Sequence, residues 1–236
     1  MKTLLTGLVL ALAAATASAN FYIVDNFDSG GEQGLFQTTP GVVETLPSAT
    51  TYGQLPAPLA WGGDRYWQLS AAITAEGQRA KFGVSQSLTR CVYYNDSDVA
   101  GYLLLAYGSL GGTTPGTGPA LNMNLTNIQG VRFEVFSVDQ SGAIAEIQVQ
   151  AAGTTYTSPP VAITAVSPYA YDVLFSTFTP GGMDITDVDG ISFKFSGPIG
   201  LDLELTSVGL TPEPTTLTLL GLGTLALLRR RRRKQS

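Results

Sequence analysis

Hydrophobic and polar residues alternate with a period of two through much of this 236-residue chain. In "GVRFEVFSVD", Val131, Phe133 and Val135 fall on one face while Arg132 and Glu134 fall on the other. "GISFKFSG" sets Ile191, Phe193 and Phe195 against Ser192 and Lys194, and "LDLELTSVGL" sets Leu201, Leu203 and Leu205 against Asp202 and Glu204. Successive side chains of a strand point to opposite faces, so each stretch predicts a half-buried strand of a mainly antiparallel sheet. Further strands are expected near 21–27, 66–74, 79–84, 88–94, 101–107, 144–150, 160–165 and 170–178. Turn signals punctuate them at Ser29-Gly30-Gly31, Ser141-Gly142, Pro180-Gly181-Gly182 and Asp189-Gly190. Two stretches rich in Pro, Gly and Thr, 40–59 and 108–119, read as long loops. No long helical period separates these elements. The pattern predicts an all-β body, a β-sandwich of jelly-roll type.

Both ends break the pattern. "MKTLLTGLVLALAAATASAN" has a basic Lys2, an apolar stretch from Leu4 to Ala15, and then Ala17-Ser18-Ala19. That is the layout of a secretory signal helix, with cleavage expected between Ala19 and Asn20 after passage through the Sec translocon. At the other end, Pro212-Glu213-Pro214 precedes an apolar run, Leu217 to Leu228, and then Arg229 to Arg233 and Lys234. Each proline fixes its own φ and lacks a backbone donor, so residues 211–214 are expected to stay extended and open to a processing enzyme. Twelve helical residues would reach about 18 Å against roughly 30 Å of hydrocarbon. A short transmembrane helix is therefore expected, held transiently in the inner membrane, with Arg229, Arg230 and Arg231 reaching the headgroups and remaining cytoplasmic. The chain divides into a signal peptide at 1–19, a sandwich at 20–210 and a sorting signal at 211–236.

In this order, tripeptide, apolar run and arginine tail resemble the PEP-CTERM sorting domain of Gram-negative bacteria, with Pro212-Glu213-Pro214 matching the namesake motif. The resemblance implies recognition and cleavage by exosortase, an integral-membrane cysteine protease or transpeptidase-like enzyme, and delivery to the envelope or the extracellular matrix of a biofilm. The body between the signals is similar to galactose-binding-like jelly rolls, through "DNFD" at 25–28, "GGDR" at 62–65, "LNMNLT" at 121–126 and the closing "LDLELTSVGL". Many carbohydrate-binding modules share that scaffold.

Charge sharpens the picture once the signals are set aside. Six of the thirteen basic residues lie at 229–234 and one is Lys2, and only Glu213 of the eighteen acidic residues lies outside the body, which therefore carries about −11. So acidic a surface excludes nucleic acid as a partner and favours solubility. The chain has one cysteine, Cys91, so no internal disulfide can form and packing must hold the body together. Cys91 in "LTRCVYY" reads as a small buried hydrophobe. The absence of histidine removes Ser-His-Asp and Cys-His catalysis and histidine-bearing zinc sites.

Two groups of residues suggest binding. "AWGGDRYWQL" gathers Trp61, Asp64, Arg65, Tyr66 and Trp67; indoles stack on the flat faces of sugars, and carboxylate and guanidinium groups bind hydroxyls. The plainer alternative puts Trp67 and Leu69 in the core and packs Trp61 under a loop. Asp25 and Asp28 near the first strand, with Asp202 and Glu204 in the last, offer hard oxygen ligands for a structural calcium ion if those strands run side by side. Otherwise they are solvated carboxylates. "DITDVDG" fails as an EF-hand loop, since a sixth-position Gly190 puts Ile185 first and Ser196 twelfth. No pair of carboxylates is singled out for glycoside hydrolysis. The expected protein is a non-enzymatic exported surface or matrix component without an organic cofactor; the alternative is a carbohydrate-binding module that holds exopolysaccharide.

Overall fold

A computed structural model of the chain describes residues 22–28, 32–36, 42–46, 53–56, 60–61, 64–73, 78–85, 88–110, 118–164 and 168–213. They form β1 (Tyr22–Asp25), β2 (Glu32–Phe36), β3 (Val42–Leu46), β4 (Gly53–Pro56), β5 (Asp64–Ile73), β6 (Arg79–Ser85), β7 (Arg90–Asn95) and β8 (Ala100–Gly108). The remainder are β9 (Ile128–Val138), β10 (Ala143–Ala151), β11 (Thr154–Thr157), β12 (Val161–Ile163), β13 (Tyr169–Leu174), β14 (Val188–Ser196) and β15 (Asp202–Pro212), with one 3-10 turn at Phe175–Thr177. The expected signal helix, the C-terminal transmembrane helix and the Ser29-Gly30-Gly31 turn lie outside the described residues. Among those described, no helix is long and apolar enough to cross a membrane.

The strands make two antiparallel sheets, ordered β13-β9-β15-β7-β6-β2 and β11-β10-β14-β8-β5-β3. Three long strands each take two short partners end to end on one side. β15 meets β7 over Asp202–Leu205 and then β1 over Val208–Leu210. β10 meets β12 and β11, and β5 meets β4 and β3. The first and last of the described strands thus pair.

The alternating stretches supply the core. Phe133 from the first sheet meets Phe195 from the second edge-on, with centroids 5.6 Å apart, and Leu203, Leu205, Ile191 and Phe193 fill the layer around them. Burying each such side chain contributes about 1.5–3 kcal/mol. Cys91 is fully buried in this layer and unbridged, and burial pushes its thiol well above the ordinary range, so it stays protonated.

Two local expectations need correction, and one strand stands outside the expected set. The stretch 40–59 is not one loop, because β3 and β4 lie in it and pair with β5. Edge strands tolerate the proline and glycine that read as loop, and Pro56 sits at the end of β4. Thr154–Thr157 forms a short strand too brief to display an alternation; only Tyr156 of the four is buried. Asp189-Gly190 is not a turn but part of β14. A Cβ on Gly190 would stand 2.2 Å from the Ser109 carbonyl oxygen, so this glycine marks a close approach of two backbones. The Ser141-Gly142 and Pro180-Gly181-Gly182 turns are where the sequence puts them, with Gly142 and Gly182 at φ of 95° and 81°.

Candidate functional site

Alternation along β5 sorts the residues of "AWGGDRYWQL". Arg65, Trp67 and Leu69 point into the sandwich, whereas Asp64, Tyr66 and Gln68 occupy the opposite face. The four residues expected to hold a glycan therefore do not share one surface. Trp67 lies in the core, 4% exposed, with its ring 5.6 Å from Phe82. Tyr66 is covered by Ala106, Leu110 and Leu104, and burial, then the charge of neighbouring Asp64, raises its hydroxyl above the ordinary value. Trp61 is half-buried at a cavity wall, and Asp64 is half-buried at the start of β5.

Arg65 is the largest fully buried side chain among the described residues, and its partner explains why. Nε donates to Asp25 Oδ2 at 2.6 Å and Nη2 to Oδ1 at 2.8 Å. The Tyr107 hydroxyl donates to Oδ2 at 2.8 Å, and the Phe27 backbone N–H to Oδ1 at 2.8 Å. Asp25 comes from the first sheet and Arg65 and Tyr107 from the second, so the fork ties the two layers together. Burial opposes the Arg65 charge, yet the neighbouring Tyr107 and Asp25 carry its pKa above its ordinary value. Burial, followed by the Asp25 carboxylate, holds Tyr107 protonated. Phe27 adopts a left-handed backbone, φ 56°, beneath the guanidinium, 5.1 Å from its ring centroid. The centre is closed and structural.

The carboxylates expected to share calcium are separated by register. Asp25 pairs with Val208 and Asp202 with Tyr94, so about six residues of β15, roughly 20 Å, lie between them. Asp25 is occupied by its four donors. Asp28 has one carboxylate oxygen buried without a partner, as has the amide of Asn26. Glu204 pairs with Arg90 at 3.1 Å. Asp202 belongs to a separate clip: its backbone N–H donates to Asp139 Oδ1 at 2.7 Å, and its Oδ1 accepts the Asn95 N–H at 3.3 Å. Burial, then Asp139, pushes the Asp202 carboxyl up to about 6. Among the described residues, no cluster of three or more acidic or thiol side chains is placed to hold a metal.

The surface with the geometry of a binding site surrounds Trp61. Its backbone N–H donates to the Val24 carbonyl at 3.0 Å, which seats the indole beside β1. An open cleft of about 540 Å³ lies on one side, walled by Tyr22, Trp61 and Met123 and floored by Leu125, Ile128 and Leu210. A second hollow of about 270 Å³, lined by Pro119, Ala120 and Leu121, shares Trp61 and Met123 with the first. Asn124, Thr126 and Asn127 line the first cleft and are exposed. Asn124 Oδ1 accepts the Thr126 N–H at 3.0 Å and its hydroxyl, fixing the turn, while the Leu125 N–H donates to Ile185 at 2.7 Å. An aromatic ridge between two hollows, bordered by amides and a hydroxyl, suits a flat polar polymer. The sequence offered Trp61 alone; "LNMNLT" is visible in it, but its convergence with Tyr22 requires the pairing of β1 with β15.

Beside this cleft the chain leaves the sandwich. β15 continues through Thr211 and Pro212, and the Glu213 N–H donates to the Asn127 carbonyl at 2.9 Å. Residues 210–233 match the PEP-CTERM protein-sorting motif. The PEP-CTERM motif marks an exported protein sorted to the cell surface. Its first residues are extended, as expected, but Leu210, Thr211, Pro212 and Glu213 are engaged by the fold rather than open. Pro214 and Arg229, Arg230 and Arg231 lie outside the described residues.

Among solved structures, the chain is similar to the family 11 carbohydrate-binding module of a cellulosomal cellulase of Clostridium thermocellum, at 12% identity and a TM-score of 0.38, covering 83% of this chain and 96% of that one. The same module in complex with a β-1,3-1,4-mixed-linked tetrasaccharide aligns at 12% identity and TM-score 0.39, over 83% and 98%. A family 61 module bound to β-1,4-galactotriose aligns at 13% and TM-score 0.32, over 52% and 70%. No curated protein matches the chain significantly.

Proposed function

We propose that this chain is a non-enzymatic surface or extracellular-matrix protein delivered through exosortase processing. After Sec-dependent export and loss of residues 1–19, the run Leu217–Leu228 pauses in the inner membrane with Arg229–Arg233 on the cytoplasmic side. Exosortase then cuts beside Pro212-Glu213-Pro214: its thiol takes the acyl carbon, the tail departs as an amine with a proton, and water or an acceptor amine releases the enzyme. The observation that carries this reading is the sorting motif continuing directly from the last strand of a closed β-sandwich. Mass spectrometry of the protein recovered from the cell surface tests it. The expected product begins at Asn20, ends near Pro212–Pro214 and lacks the arginines; surface protein that retains the tail sinks the processing claim.

A second reading is favoured by the Trp61 cleft: the sandwich holds exopolysaccharide along the ridge of Trp61 and Met123. The support is the juxtaposition of a half-buried indole with Asn124, Thr126 and Asn127 in the larger hollow. Pull-down with purified exopolysaccharide is the test, and Trp61→Ala is expected to abolish retention while leaving the fold intact. Undiminished retention by that variant removes the cleft from consideration.

A further inference from the structure

We infer that the fold gates exosortase's access to its own recognition site: the end of β15 must peel away from β9 before the chain can be cut at Pro212-Glu213. The inference rests on the processing reading above and concerns access, not chemistry. A processing enzyme that takes its substrate in extended form pairs with the backbone donors and acceptors of several consecutive residues. In this protein those groups are already engaged. Leu210 pairs with Val131 on one side and Tyr22 on the other, Thr211 pairs with Gly130, and Pro212 pairs with Ile128. Glu213 adds a further bond through its N–H to Asn127.

Side chains reinforce the backbone. Leu210 is 1% and Thr211 7% exposed. The Thr211 hydroxyl donates to Asp172, which Arg132 grips through Nε at 2.8 Å and Nη2 at 2.6 Å. The clamp spans three adjacent strands, since Asp172 lies on β13, Arg132 on β9 and Thr211 on β15.

Covalent geometry leaves no way round. Only Pro214, Thr215 and Thr216 separate Glu213 from Leu217, a reach of at most about 14 Å when fully extended. A sandwich that has closed while its tail is still inserted therefore offers the enzyme no free spacer. Cleavage then follows the fraction of time that the strand end is open, which is set by local rather than global unfolding.

Two variants of the full chain separate the possibilities. One carries six Gly and Ser residues inserted between Thr211 and Pro212, which moves the tripeptide off the sheet; the other is Thr211→Val, which releases the Asp172 clamp. In an exosortase-bearing host, pulse-chase conversion of precursor is expected to run about tenfold faster with the insertion, the effect of losing one or two backbone hydrogen bonds from the closed state. About twofold faster conversion is expected with Thr211→Val. Equal rates for all three chains overturn the gate while leaving processing intact. If no chain loses its tail, the processing reading fails, and a second measurement still decides the gate. Detergent-solubilised precursors are treated with a proline-specific endoprotease active on whole proteins, and cleavage after Pro212 is followed by mass. Protection of the natural chain relative to the insertion supports the gate; equal cleavage sinks it.

Discussion

Trp61 and Trp67 stand six residues apart in one short stretch and lead opposite lives. Trp67 follows the inward parity of β5 and packs on Phe82; Trp61 precedes the strand and stands between two hollows at the surface. Arg65 belongs with Trp67 and not with Trp61, because Asp25 from the opposite sheet receives its charge. Residue chemistry suggested one polar aromatic patch across this stretch, and strand parity divides it into a closed interior centre and an open cleft. Type tells what a side chain is able to bind, while the face it occupies decides what it meets.

The division is easiest to break at Arg65. Arg65→Ala leaves the Asp25 carboxylate buried without its cation, and unfolding in urea is expected to show a loss of about 3–5 kcal/mol. Arg65→Met combined with Asp25→Leu should recover only part of it, since the apolar pair needs no desolvation but leaves the Tyr107 hydroxyl and the Phe27 N–H without their acceptor. A cost under about 1 kcal/mol for Arg65→Ala would mean that water reaches the centre. Trp67→Ala is expected to cost about 3–5 kcal/mol by opening a core cavity. Trp61→Ala, at a half-buried site, should cost about 1 kcal/mol and act on polysaccharide retention instead. If the two tryptophans prove equally costly, the contrast between them fails.

The smallest effect sharpens a second contrast, between the saturated Asp25 and the crowded Asp202. The folded state raises the Asp202 carboxyl to about 6, above its value in the unfolded chain, so it binds a proton more tightly when folded. Its contribution favours the native state below about pH 4 and is lost as pH rises through 6. Asp202→Asn should therefore stabilise the protein at pH 7 by about 1 kcal/mol, allowing for solvent screening, and change nothing at pH 4. Urea midpoints measured across that window check it; parallel pH profiles for the two chains would show that Asp202 titrates normally.

The long strands were legible because alternation is a local signal: the faces of Val131–Val135, Ile191–Phe195 and Leu201–Leu205 follow from the residues alone. β2, β3 and β4 were not, since short edge strands take their stability from β5 and β6 rather than from their own pattern. The Asp25–Arg65 fork joins residues 40 apart in sequence, and no local pattern specifies which carboxylate a strand arginine will reach. Register separates Asp25 from Asp202 for the same reason. That β1 and β15 would be neighbours was foreseeable, but only their pairing shows Asp25 opposite Val208. The Trp61 cleft needed three separate segments to meet, and no local pattern shows that Tyr22 and "LNMNLT" converge on Trp61.

β15 is the last of the described strands in sequence and a middle strand of its sheet, with β9 on one flank and β7 on the other. A nascent polypeptide that has yet to deliver residues 202–212 thus has the two halves of that layer and nothing to join them. Assembly of that layer waits for residues 202–212, so the strands made before them stay unjoined until this segment arrives.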